Sequence, residues 1–237
     1  MTTFTCEFYL ASDSNLRNTF KCKFSDWEIG QFGALYSENM LLSLGRHFNL
    51  YTNGSNNGFE VIRNTYTGKP VGRFNMLGLK KKAPLVSGNI GEAIAMPALT
   101  ACCKVPIYNM PFQRFKSTTK CPDYRFETVP HLLSLLWDLP RSTFSSFPSS
   151  LPMEVKTHLG DSQKYPITAL HQLKSYWHEC ADHYHEGIGF GVISRVNLKS
   201  NLLKYFLFIP KGGVANPAIL NAKYKTFYNK PGRYFEV

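Results

Sequence analysis

Near the amino terminus apolar and polar side chains alternate along Phe4-Thr5-Cys6-Glu7-Phe8-Tyr9-Leu10, and a period of two marks a strand with one buried face. Phe59-Glu60-Val61-Ile62 reads the same way. The preceding Asn53-Gly54-Ser55-Asn56-Asn57-Gly58 reads as a turn, because asparagine and glycine tolerate positive φ. Between these strands, Met40, Leu41, Leu44 and Phe48 fall at helical spacing within Leu35 to Leu50. Residues 1–85, rich in aromatics and turn residues, are therefore expected to form a β-rich N-terminal region.

From residue 86 to 237 the pattern mixes helices with strands. Ser87 to Met96 sets capping residues before good helix formers, and Pro97 is expected to kink or end that helix soon after. Tyr124 to Val129 and Leu151 to Thr157 are strand-like. The apolar segment His131 to Trp137 lies between them, followed by a stretch over 140–150, rich in Ser, Pro and Phe, that reads as a loop. Leu170, Leu173, Trp177 and Ala181 recur at three- and four-residue intervals, the signature of an amphipathic helix with one buried face. Gly187 to Ser194 and Leu202 to Ile209 read as buried strands. Gly187, Gly189 and Gly191 suit a close backbone approach or a ligand-facing strand, since no helix follows as it would in a nucleotide-binding loop. The order from residue 87 is helix, strand, strand, helix, strand, strand. This predicts an α/β chain with a central mixed sheet flanked by helices.

Composition narrows the function. With 237 residues, 43% hydrophobic and 18% charged, the chain can bury a sizeable core and is too apolar for a disordered protein. Its 27 Lys and Arg against 16 Asp and Glu give a formal charge of +11, which favours a polyanionic partner such as nucleic acid. No apolar run is long enough to span a bilayer, and the first residues lack the layout of a secretory signal, so an intracellular location is expected. The six cysteines are scattered, with no C-x-x-C pair, so reduced thiols are expected rather than a zinc site or a disulfide framework.

Four dispersed side chains carry the candidate chemistry: Glu92, Asp123 in Cys121-Pro122-Asp123-Tyr124, and Glu154 and Lys156 in Met153-Glu154-Val155-Lys156-Thr157. Two carboxylates on neighbouring strands can hold a divalent cation, and a lysine two residues beyond the second shares its face of the strand. This set, in this order of elements, resembles the PD-(D/E)XK nuclease superfamily, which includes many restriction endonucleases, Holliday junction resolvases and RecB-type nucleases. The resemblance covers roughly residues 87–196.

The resemblance implies a first helix with an acidic residue, a hairpin presenting the aspartate and the E-x-K strand, then a helix and a further strand. It implies Mg²⁺, with Mn²⁺ able to substitute, held by Asp123, Glu154 and the backbone carbonyl of Val155, with Lys156 acting on the attacking water and Glu92 completing the site. Gln172 and Tyr176, four apart on one helix face, match the Q-x-x-x-Y element of RecB-like members and are implied accessories. The interval from Asp123 to Glu154 makes residues 131–150 an insertion at the hairpin tip. Asp138, closer in sequence to Glu154, is the rival metal aspartate.

Lys80, Lys81 and Lys82 are candidate phosphate contacts, as are Lys223 and Lys225 in the stretch 221–234 that interleaves bases with aromatics. That stretch reads equally as an edge strand with its aromatics packed inward. His178, Cys180, His183 and His185 lie close enough to bind a transition metal, but read more simply as a polar helix end. The leading expectation is a Mg²⁺-dependent endonuclease acting on double-stranded DNA, dimeric if it cuts both strands. The alternatives are a non-catalytic nucleic-acid-binding protein and an RNA-cleaving endonuclease.

Overall fold

The computed structural model describes residues 1–12, 15–24, 91–92, 94–104, 112–114, 122–158, 160, 162–183 and 187–236. The helix expected over Leu35 to Leu50, the turn at 53–58, the strand at 59–62, Lys80, Lys81, Lys82, Cys121 and His185 lie outside them. The strands are β1 (Thr2–Leu10), β2 (Leu16–Phe24), β3 (Phe112–Arg114), β4 (Tyr124–Glu127), β5 (Ser150–Thr157), β6 (Gly191–Asn197) and β7 (Leu202–Phe208). They form one mixed sheet of seven strands, in the order β2-β1-β7-β6-β5-β4-β3. The chain is thus of the α/β class. β5 pairs parallel with β6 and β1 parallel with β7, and the remaining neighbours are antiparallel.

Helices cover both faces, so the central strands are apolar on both sides. Residues 91–92 and 94–103 are helical (α1), and α2 runs over Pro130–Trp137. Both pack on the face bearing Phe8, Met153, Val155, Val192, Tyr205 and Leu207. The other face is covered by α3 (Ile167–His183), through Ala169, Leu170, Leu173 and Trp177 on Tyr9, Ile193, Phe206 and Phe208. Trp137 and Trp177 fasten these layers. The Trp137 indole N–H donates to the Tyr9 carbonyl (2.9 Å), and that of Trp177 to the Phe190 carbonyl (2.8 Å). At the carboxyl end α4 (Ala218–Asn221) and α5 (Tyr224–Asn229) pack against α3.

Several expectations change. The described N-terminal residues form the strands β1 and β2, and β1 is hydrogen-bonded to β7, so they extend the same sheet as strands from residues 86–237. Pro97 does not end its helix, which continues to Cys103; losing one backbone donor is tolerated where Ile94, Ala95, Met96, Ala98 and Leu99 are all buried. The stretch 140–150 contains a short 3₁₀ turn, Arg141–Phe144, before β5 begins. Residues 187–190 form a turn, with positive φ at Gly187 and Gly189, and the strand starts at Gly191. Gly191 does mark a close approach, since a Cβ there would lie 3.2 Å from the Pro152 carbonyl oxygen.

The stretch 221–234 is helical rather than an edge strand. Its aromatics turn inward: Phe227 is fully buried, and Tyr224 packs on His171, with ring centroids 3.4 Å apart. Among the described residues no helix is long and apolar enough to cross a membrane.

Candidate active site

β4 and β5 form an antiparallel pair in which Tyr124 faces Met153. Asp123, one residue before β4, therefore comes level with Glu154. Two hydrogen bonds interlock them: the Asp123 backbone N–H donates to Glu154 Oε2 (3.2 Å), and the Val155 N–H donates to Asp123 Oδ2 (2.8 Å). Lys156 donates to Glu154 Oε1, closing a group of three ionisable side chains. The residues between the strands, 128–149, hold α2 and the 3₁₀ turn and form a connection at the hairpin tip.

Strand register explains why Glu154 stands out. The residues level with it across the sheet are Ile193 on β6, Phe206 on β7 and Tyr9 on β1. It is a carboxylate with no exposed surface at the end of an otherwise apolar row. Burial, and then the neighbouring Asp123 carboxylate, push its carboxyl up to about 8, against the opposing pull of Lys156. The next row on this face is charged throughout: Lys156 on β5, Arg195 on β6, Lys204 on β7 and Glu7 on β1. The charged row lies on the side of Glu154 nearer the carboxyl ends of the parallel strands β5 and β6.

Glu92 approaches from the α1 side. Tyr124 donates a hydrogen bond to its Oε2 (3.2 Å), which places Glu92 on the α1 face of the sheet, whereas Glu154 and Lys156 lie in rows on the α3 face. Gly91 permits this approach, because a Cβ there would fall 2.0 Å from Thr157 Oγ1 at the end of β5.

Asp138 is placed elsewhere. It is the exposed C-cap of α2, in the left-handed conformation (φ 51°), and the adjacent Trp137 is bonded to β1, three strands from β5. Gln172 and Tyr176 lie half-buried on α3. Burial raises the Tyr176 phenol above its ordinary range, Cys180 raises it further, and the charge of Arg125 on β4 lowers it; α3 itself packs on β5. Lys223 and Lys225 are exposed on the α5 segment.

Three residues near the site were not anticipated from sequence. Arg195 donates to the carbonyls of Gly160 and Lys164 (both 2.8 Å), tying the β5–α3 connection to the sheet. Lys204, almost wholly buried, donates to Gln163 Oε1 (3.0 Å) in the same connection. His158 continues the face of β5 two residues beyond Lys156; burial first, then Arg195 and Lys156, lower its pKa. A cation inside the apolar run Val192 to Leu198 was the available signal for Arg195.

Asp123 and Glu154 form a two-carboxylate pair with the Val155 backbone running between them. Among the described residues no group of three or more His, Cys, Asp or Glu side chains gathers as a metal cage. The described cysteines, Cys6, Cys22, Cys102, Cys103 and Cys180, are free thiols. Comparison with protein-family models, with curated proteins and with solved structures finds no match to this chain.

Proposed function

We propose that this chain is a Mg²⁺-dependent nuclease of the PD-(D/E)XK type that hydrolyses phosphodiester bonds of double-stranded DNA. The observation that carries the reading is the interlocked Asp123–Glu154 pair with Lys156 on the same carboxylate. The element order supports it: α1 with Glu92, the β4–β5 hairpin, the α3 crossover and the parallel strand β6. The charge of +11 supplies the attraction for a polyanion.

The donor set fits a hard divalent cation. Two carboxylates side by side, one of them fully buried, repel each other, and a divalent charge offsets that repulsion. Magnesium keeps several waters and needs only one or two protein carboxylates, so a pair suffices. Asp123, Glu154 and the Val155 carbonyl would hold the ion. When bound it would polarise the scissile phosphate and lower the pKa of the attacking water.

The protein groups do the rest. The two backbone hydrogen bonds fix both carboxylates before substrate arrives, so little reorganisation is left for the reaction. Lys156, about 29% exposed, is the accessible cation: it orients the water or meets the charge developing on phosphate oxygens. Gln172 with Tyr176 positions the strand from α3.

The test is incubation of the purified protein with duplex DNA, single-stranded DNA and RNA, in Mg²⁺ and in chelator. Cleavage of duplex DNA in Mg²⁺ alone is expected. Cleavage of RNA only would reassign the substrate, and salt-sensitive binding with no product on any of the three would leave a non-catalytic nucleic-acid-binding protein.

A further inference from the structure

Strand register places a second cation beside the carboxylate pair. Arg125 on β4 faces Pro152 on β5, and Asp123, two residues earlier, comes level with Glu154. Alternation along β4 turns Tyr124 and Phe126 into the core under α1 and α2, and sets Arg125 on the opposite face with Asp123. The pair is therefore flanked on both sides. Lys156 lies one row toward the carboxyl end of β5, and Arg125 lies one row the other way on β4. Two residues of strand separate Arg125 from Asp123, about 7 Å.

Arg125 is built to hold a ligand rather than the fold. Its side chain is exposed, whereas Arg195 on the same sheet is buried and gives both terminal nitrogens to backbone carbonyls. The Arg125 Nε donates to Ser150 Oγ (2.6 Å), which fixes the plane of the guanidinium and leaves its terminal N–H groups for a partner. Among the described residues no acid is ion-paired with it. Burial raises the Tyr176 phenol and the Cys180 thiol, and the Arg125 charge acts against that rise on both, so its field extends to α3.

An oriented guanidinium with free N–H groups selects an anion that offers two oxygens in one plane. Beside a site read as cleaving phosphodiesters, that anion is the next phosphate of the same strand, because the backbone carries one charge at every nucleotide. We propose that Arg125 holds the backbone phosphate adjoining the scissile one, so that Arg125 and Lys156 grip the strand on either side of the carboxylate pair. Glu127 follows Arg125 on the same face, so a further phosphate along β4 would meet a carboxylate, and the grip is for one. The proposal rests on the nuclease reading for which phosphate is scissile, but not for the chemistry of the anion that Arg125 holds.

The experiment measures binding of duplex DNA in chelator over a range of salt concentrations, and cleavage kinetics in Mg²⁺, for the natural chain, Arg125→Ala and Arg125→Lys. Arg141→Ala, at an exposed arginine of the 3₁₀ turn, controls for net charge. Arg125→Ala should bind about tenfold or more weakly, with a slope of log affinity against log salt shallower by about 0.9, the signature of one phosphate contact. Arg125→Lys should keep the slope and lose affinity, because an ammonium cannot reproduce the paired hydrogen bonds. In cleavage, the loss should fall on KM more than on kcat. An unchanged slope in Arg125→Ala, a loss no greater than that of Arg141→Ala, or no duplex binding by the natural chain would overturn the proposal. A shallower slope with no product from any preparation would count against the nuclease reading alone, and cleavage with unaltered KM in Arg125→Ala against Arg125 alone.

Discussion

Glu154 has no exposed surface and stands level with Ile193, Phe206 and Tyr9, where an apolar residue would pack without cost. Its raised carboxyl has a consequence for stability. The native chain holds a proton from the ordinary carboxylate value of 4.5 up to about 8, while the unfolded chain has released it. Stability from this group is therefore full below the lower value and is lost as pH rises through the upper one. Urea unfolding in chelator should show this decline, and Glu154→Gln should flatten it. The spacing of Glu154 and Lys156 made their shared face legible, since alternation fixes it whatever else the strand does. The hydrogen bonds from Asp123 N–H and Val155 N–H were not legible, because they depend on antiparallel register between segments about thirty residues apart.

At the scale of elements, α1 and α2 decide which acidic residues reach the site. Gly91→Ala should push the start of α1 away from Thr157, because a β-branched side chain cannot swing clear of a contact of 2.0 Å. Glu92 would move with it, and stability in urea unfolding should fall by about 1–3 kcal/mol. Asp138→Gly separates the rival aspartates. Glycine relieves a left-handed C-cap, so thermal stability should hold or rise with cleavage unchanged; a collapse of activity would return Asp138 to the site. Arg195→Met should cost about 1.5–3 kcal/mol and loosen the β5–α3 connection, read as faster amide exchange over residues 162–165. The helix over 167–183 followed its apolar residues, so its existence was readable, whereas 131–137 read only as an apolar segment and proves to be a helix. The inward turn of Tyr224 and Phe227 was not, because interleaved lysines and aromatics fit a short helix on α3 as well as an edge strand.

For the whole molecule, sequence pattern led to an α/β sheet but not to its edges. The pairing of β1 with β7 joins residues almost two hundred positions apart, and no local period encodes that. The charge of +11 was legible at once, and it predicts that binding to any nucleic acid weakens steeply with salt, with log affinity falling linearly against log salt concentration. Charge alone does not distinguish cutting from binding. That rests on Asp123, Glu154 and Lys156, and the most direct measurement compares plasmid cleavage and Mn²⁺ binding for the natural chain, Asp123→Ala and Lys156→Ala. Lys156→Ala should keep the ion and lose about 100-fold or more in cleavage rate, as for removal of one donor aimed at developing charge, whereas Asp123→Ala should lose both. Equal cleavage by all three preparations would contradict the assignment.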